Sequence, residues 1–405
     1  MDVLFLSPAY PPEMQQFTRG LAEVGARVHG VGDAPLASLP EALRRHLTSY
    51  LHVPAILDED DVIARVRAWL GGRRPDRIEG LWEVTTLLAA RLREQLGVPG
   101  MSVDTVHGFR DKVEMKRRVA AAGVRVPRTA RVRTAREVHA FAEQSGYPLC
   151  IKPVDGAGSG DTHRIGSLAE LEAVLPRLGH LDEASLEEFV TGDELTFETI
   201  CVQGRPVYTS VSFYVPNVLD ARRNEWISPI IFAMRDPDDP SVAPGVQMGH
   251  DVLRALKMGT GFTHMEWFRT STGEAVFGEV ACRPPGANMV DLMDYAGDVD
   301  LFREWARAVV HGRFEPPLTR PWNAAIVFKR AVGQGRIRAV EGLEAFLARY
   351  RRWVARVDLL PVGAPRRNWQ QTFLADGNLV VRHPDADACL ALAKEAAATI
   401  RMYAG

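Results

Sequence analysis

Apolar and polar positions over the first thirty residues follow two different rhythms. VLFLS (3–7) is a short, almost wholly apolar run, as expected of a strand covered on both faces. Over 13–24 the spacing becomes helical, with Phe17, Leu21 and Val24 on one face, and Gly25 closes the helix. ARVHGVG then reads as a second strand and a turn, so the chain opens β-α-β. No G-x-G-x-x-G follows the first strand, which argues against a dinucleotide-binding Rossmann site.

Helical spacing returns over 85–96, stopping at Gly97-Val98-Pro99, and over 111–122, ended by Gly123 and then Pro127. PLCIKPVDGAGSGDTHRI reads as a strand, a glycine-rich turn and a return strand. From 185 to 211, β-favouring stretches alternate with turns at TGDE and QGRP, and AVFGEVAC (275–282) is a further strand. A helix over 300–310 is broken by EPPLTRPW, and a boundary is placed there. Beyond it, AAIVFKRAVGQGRIRAV predicts two strands, EGLEAFLARYRRWV a helix, QQTFLADGNLVVR a hairpin, and 386–402 a last helix. The class is α/β with an α+β middle.

Bulk composition removes several alternatives. The 405 residues suggest two to four units rather than one core. With 49 basic and 51 acidic side chains, nothing in the net charge calls for nucleic acid or an anionic membrane as partner. Cys150, Cys201, Cys282 and Cys389 are scattered, without the CxxC or histidine spacing of a zinc site, and such sparse use fits a reducing compartment. The start MDVLFLSPAYPPEM has no basic region before its apolar run, so it reads as a strand and not a signal peptide. No segment is long and apolar enough to span a bilayer, and the expected location is the cytoplasm.

Four motifs carry candidate chemistry. In GFRDKVEMKRRVAAAGVRVPR, Lys112 opens a helix where a cation could offset phosphate charge; the plain alternative is a solvated face, since Lys116, Arg117 and Arg118 follow. In CIKPVDGAGSGD, Lys152 ends an apolar strand just before Gly156, Gly158 and Gly160, whose missing Cβ atoms let backbone N–H groups approach anionic oxygens, and Ser159 adds a hydroxyl. The glycines follow the lysine, so this is no Walker A loop, and a simple β-turn is the plain alternative. SLEEFVTGDELTFET sets Glu187, Gly192 and Glu194 between two strands, where a carboxylate suits vicinal hydroxyls, unless the segment is only an acidic loop. In HMEWFRTSTGEAVFGEVACRPPGANM, Glu266 and Glu279 lie on strands joined by a turn at Thr272-Gly273. Two carboxylates on one face need a cation, and Mg²⁺ takes a few carboxylates plus phosphate oxygens. Arg283 follows four residues after Glu279.

In this order and spacing, residues from about 105 to 290 resemble the ATP-grasp superfamily, and HMEWF with FGEVACRPPGANMVDLM looks like its carboxylate-amine (amino acid and peptide) ligase branch. The resemblance implies an α/β and α+β ATP-grasp fold. Its parts would be an N-terminal pre-ATP-grasp α/β domain (1–104), first (105–190) and second (191–312) grasp subdomains, the second with the metal site, and a C-terminal α+β extension (313–405). By resemblance, Lys112 and Lys152 reach the ATP phosphates, and the loop of Gly156, Gly158, Ser159 and Gly160 closes over them. Glu187 accepts from the adenine amino group (Glu188 if the register slips by one), backbone at Phe189 and Val190 meets the adenine edge, and Glu194 holds the ribose. Glu266 and Glu279 bind Mg²⁺ or Mn²⁺, with Glu279 bridging two ions, while Arg283 and Lys152 serve catalysis.

The implied activity is ADP-forming ligation of a small carboxylate and an amine through an acyl phosphate, in an assembly that is often a homodimer among related ligases. One departure stands out: where many members carry asparagine two residues after the second glutamate, this chain has Ala281, with Asn288 further on. His264 reads as a strand residue bonding locally, and Arg222, Arg223 and Trp226 as candidate substrate contacts or a solvated loop. The alternatives are a non-catalytic ATP-binding module and a biotin-carboxylase-like enzyme activating bicarbonate. Intact Glu266, Glu279, Arg283, Lys112 and Lys152 oppose the first, and the lack of an appended carrier domain opposes the second.

Overall fold

Burial on both faces draws β1 (Asp2–Leu6) into the middle of a parallel sheet: Val3 to Leu6 are all fully buried, which only layers on both sides allow. With β2 (Arg27–Gly32), β3 (Ser49–His52) and β4 (Arg77–Gly80) it forms the order β3-β2-β1-β4. The coordinates are a computed structural model that describes residues 1–154, 162–179, 182–369 and 374–405.

A second, antiparallel sheet contains β5 (Thr129–Val132), β6 (Leu149–Pro153), β7 (His163–Ile165) and β8 (Ala184–Glu188), in the order β5-β8-β6-β7. Eight strands make the third sheet. They are β9 (Asp193–Val202), β10 (Arg205–Val215), β11 (Ile230–Met234), β12 (Gly261–Arg269), β13 (Ala275–Ala281), β14 (Asn323–Phe328), β16 (Val354–Leu359) and β17 (Gly377–His383). Their order is β13-β12-β9-β10-β11-β14-β17-β16, so β14, paired with β11, carries the sheet across residue 312. The boundary expected there falls inside a sheet, not between two. The remaining strands, β15 (Ile337–Glu341) and β18 (Arg401–Ala404), pair with each other.

The N-terminal sheet is locked to the large one by two helices. Met14–Glu23 buries Phe17 and Leu21, and Leu301–His311 buries Leu301, Phe302, Trp305 and Val309, so Phe5, Phe17, Phe262 and Trp305 share one core. Gly20 is the point of closest approach: a Cβ there would stand 2.5 Å from the Phe302 carbonyl oxygen. Asp300 caps the second helix by accepting from Arg303 N–H, and Gly312 ends it in the left-handed region, at φ +66°.

Local expectations differ from the structure in four places. The helix expected over 111–122 is Lys112–Ala121, capped by Asp111, and a separate helix, Val103–Arg110, precedes it behind a Ser102 cap. The helix expected to reach Met402 stops at Thr399, because buried Ile400 and Met402 alternate with Arg401 as β18 joins β15. The two strands read in 324–340 are β14 and β15, which belong to different sheets. The expected 370–382 hairpin falls partly on 370–373, outside the described residues, and its second half, β17, pairs with β14 and β16.

Candidate active site

Three lysines converge on two carboxylates where the second and third sheets face each other. Asp111 breaks the chain between two helices: its side chain accepts from the N–H groups of Val113 and Glu114, and Arg131 holds it from β5. That turn places Lys112 at the first helical position and Lys116 one turn later, both buried. Lys116 Nζ donates to Glu187 Oε1 at 2.8 Å, and the Ser185 hydroxyl donates to the same oxygen at 2.9 Å. Lys152, on β6, lies 3.2 Å from Glu187 Oε2 and 3.5 Å from Glu279 Oε2, while Lys112 Nζ lies 3.6 Å from Glu279 Oε2. Burial works to raise the Glu187 and Glu279 carboxyls, but the lysine charges outweigh it and hold both below the usual carboxylate range.

Glu266 and Glu279 stand directly opposite each other across β12 and β13, beside a bulge at Glu266/Trp267. They form part of a wall between two cavities, and Lys112 and Val218 line both sides with them. The first cavity, about 460 Å³, lies between the second and third sheets and is lined by Lys152, Glu187 to Gly192, Glu194, Phe268 and the segment around Asn217 to Arg223. Glu194 is half-buried, and loss of solvent first and the Glu266 charge second push its carboxyl up to about 8 even though the Val218 N–H donates to it at 3.3 Å.

The second cavity, about 370 Å³, opens on the other side of the carboxylate pair, toward the N-terminal sheet. Arg283 and Arg110 both bond Glu83 there, and Arg283 also donates to the Pro284 carbonyl at 2.8 Å. His264 Nδ1 pairs with fully buried Glu198 at 2.9 Å, and its Nε2 lies 3.6 Å from Glu266 Oε1. Burial alone would lower this imidazole, but the bonds to Glu198 and Glu266 push it up to about 9. The strand pairing sets His264 opposite Ala281, and both line the second cavity.

No family model matches the chain. Among sequence relatives, an L-arginine-specific L-amino acid ligase of Bacillus subtilis is 25% identical over 234 residues, 56% of each chain. A D-alanine–D-alanine ligase of Xanthomonas axonopodis is 33% identical over 111 residues, 26% of this chain and 35% of that one. The chain thus spans about half or less of the length of these relatives. Solved structures match throughout. The L-amino acid ligase from Bacillus licheniformis has a TM-score of 0.78 at 18% identity, covering 100% of this chain and 99% of that one. N5-carboxyaminoimidazole ribonucleotide synthetase from Thermotoga maritima has 0.74 at 17% identity, with the same coverage. The chain has the ATP-grasp fold.

On this ATP-grasp frame, the residues singled out in the sequence divide by place. Lys112, Lys152, Glu187, Glu188, Phe189, Val190, Glu194, Glu266 and Glu279 all line the first cavity. Both Glu187 oxygens are engaged by Lys116, Lys152 and Ser185, and Glu188 is held by Arg125. Arg283 lines the second cavity. Gly156, Gly158, Ser159, Gly160 and the Arg222 side chain lie outside the described residues. Arg223 reaches the first cavity; Trp226 is 79% exposed. Asn288 stands at the N-cap position of the helix Met289–Gly297 in the left-handed region, at φ +55°, without a side-chain capping bond.

The sequence reading passed over several groups that shape the site. Lys116 is 2% exposed instead of part of a solvated run, and Glu83, Arg110, Glu13, Glu198 and Tyr214 gave no signal of their own. The short helix Val218–Arg223, which faces both cavities through Val218, is held from behind. Arg330, just after β14, donates to the carbonyls of Ala221 at 2.7 Å and Asn224 at 2.9 Å and stacks on Trp369. Arg366 bonds Glu225 at 2.5 Å from the same side, with fully buried Asp376 behind it.

Proposed function

We propose that this chain is an ATP-dependent ligase that joins a small carboxylate to an amine through an acyl phosphate, releasing ADP and phosphate. The observation that carries the reading is the shared wall: Glu266, Glu279 and Lys112 border both cavities, so a phosphoryl group held in the first can meet a carboxylate held in the second. A solved structure with the same fold, an L-amino acid ligase, and a sequence relative, an L-arginine-specific L-amino acid ligase, support it.

ATP takes the first cavity, with adenine against Phe189, Val190 and Glu187 or Glu188, and ribose at Glu194. Lys112 and Lys152 draw on the γ-phosphate, and Lys116 keeps Glu187 compensated when Lys152 turns to the nucleotide. Oxygen donors on two paired strands suit Mg²⁺, or Mn²⁺, which needs few protein carboxylates when phosphates complete its shell. Among the described residues no ready-made cluster of three or more His, Cys, Asp or Glu exists. Glu266 and Glu279 would hold the ion, which when bound would offset the negative charge of the phosphates. The substrate carboxylate attacks the γ-phosphorus and ADP leaves. The amine nitrogen then attacks the acyl carbon, phosphate leaves and the nitrogen gives up a proton. Arg283, fixed by Glu83, stabilises the oxyanion of that step.

The presence of both lysines, both wall carboxylates and Arg283 around adjoining cavities favours turnover over a binding-only module. The test is nucleotide product formation from Mg-ATP with pooled amino acids and small carboxylates, resolving ADP, AMP and phosphate. ADP and phosphate that depend on an added carboxylate are expected. AMP would overturn the acyl-phosphate mechanism, and ATP binding without turnover would favour the binding module.

A further inference from the structure

Of the two wall carboxylates, the lysines serve only Glu279. Lys112 and Lys152 lie 3.6 and 3.5 Å from Glu279 Oε2, whereas Glu266 has one ion-pair partner among the described residues, His264, with Nε2 at 3.6 Å. Glu194 and Glu279 stand beside Glu266 as like charges, so repulsion alone would turn its side chain away from the site. His264 is fixed in turn by a residue that lines neither cavity. Glu198 lies directly opposite His264 in the pairing of β9 with β12, is fully buried, and holds His264 Nδ1 at 2.9 Å. On grounds of stability alone a carboxyl does not belong there. Its second oxygen, Oε2, has no hydrogen-bond partner among the described residues, and neither do the hydroxyls of Thr196 and Ser212 on the same face of the sheet. A buried polar atom without a partner costs stability, and an apolar side chain at 198 would remove that cost.

Taking the ligase reading and its metal assignment as the basis, we infer that Glu198 is a positioning residue for the metal site: it fixes the His264 ring, and the ring holds the Glu266 carboxylate in place for the divalent cation it shares with Glu279. A ligand oriented in advance loses less side-chain freedom when the ion arrives, which is how groups behind a metal ligand raise its affinity. Glu198 touches neither the ion nor the nucleotide in this scheme, and its whole effect passes through His264.

The test measures ion binding without turnover. Mn²⁺ binding is followed by the electron paramagnetic resonance of the free ion, with the β,γ-imido analogue of ATP present. Binding of the analogue alone, without metal, is followed by calorimetry. Glu198→Gln keeps the size of the side chain and is expected to weaken Mn²⁺ binding about 10–100-fold, with metal-free affinity for the analogue changed by less than about twofold. His264→Gln is expected to weaken Mn²⁺ at least as much, and the double variant no further than His264→Gln, because Glu198 acts through the histidine. Unchanged Mn²⁺ affinity in Glu198→Gln would overturn the inference while leaving the ligase reading standing, as would losses that add in the double variant. Equal losses of Mn²⁺ and of metal-free analogue affinity would make Glu198 a part of the core only and overturn it too. No Mn²⁺ bound by the unaltered protein with the analogue would overturn the metal assignment of the ligase reading, and the inference with it.

Discussion

Replacing Lys116 by methionine and Glu187 by glutamine probes the same buried contact from its two ends, and the structure ranks the outcomes. In Lys116→Met, Glu187 keeps Lys152 at 3.2 Å and the Ser185 hydroxyl at 2.9 Å, so no carboxylate is stranded. The loss is one charge-assisted hydrogen bond, offset in part by an apolar chain of similar length, or about 1.5–3 kcal/mol. In Glu187→Gln, Lys116, only 2% exposed, is left with a neutral acceptor, and Lys152 has Glu279 alone as its carboxylate. Breaking a buried pair in this way costs about 3–5 kcal/mol. Denaturant unfolding followed by fluorescence should therefore place Glu187→Gln below Lys116→Met in stability. The two should also part in nucleotide binding: in Lys116→Met, Glu187 draws Lys152 away from the phosphates, and calorimetry should show ATP affinity reduced about tenfold, or about 1.4 kcal/mol. A Lys116→Met variant as unstable as Glu187→Gln, with unaltered ATP affinity, would refute the arrangement of three lysines sharing two carboxylates.

Glu279→Gln should reduce ADP formation by about 10²–10³-fold with circular dichroism unchanged, and residual activity near that of the unaltered protein would remove Glu279 from the reaction. Gly20→Val should destabilise by about 1–3 kcal/mol or more, because the new Cβ meets the Phe302 carbonyl oxygen at 2.5 Å and backbone has to move; thermal unfolding reads it. His264 is raised in the fold from 6.5 to about 9, so its stabilising contribution is complete below about pH 6.5 and is lost as pH rises through 9. Unfolding midpoints measured across that window should fall for the unaltered protein more than for His264→Gln, and parallel curves would contradict the Glu198–His264–Glu266 contacts. Arg330→Met should raise KM for ATP severalfold more than it lowers kcat and expose 217–228 to protease; a matching fall in kcat alone would assign Arg330 another role.

Much of the site was legible because its chemistry is written in short stretches. Lys152 before its glycine turn, Glu187 and Glu194 around a TGDE turn, and Glu266 and Glu279 on a hairpin are each local patterns, and the strands that carry them were equally plain from their apolar runs. What stayed hidden depends on partners far apart in the chain. Lys116 looked solvated because Arg117 and Arg118 beside it are charged, and only Glu187, 71 residues on, explains its burial. Glu83 and Arg283 are 200 residues apart. Glu13 was read as the start of a helix, correctly as an element, with no local sign that it would face a cavity. At the C-terminal end the error was one of period: AAATIRMY continues a helical composition, but β15 needs a partner strand, and that pairing overrides local propensity.

The eight-stranded sheet also bears on how the protein comes into being on the ribosome. Because β14 pairs with β11 across the 312 position, a nascent chain that has emerged only that far displays Ile230, Ile231 and Phe232 along an open edge, the kind of surface that recruits other chains. The arginine that steadies the helix between the two cavities has not yet emerged at that point. Shortened versions ending near residue 312 should therefore collect in inclusion bodies instead of yielding a minimal catalyst. Swapping C-terminal quarters between homologues would exchange the support behind the short helix that faces both cavities.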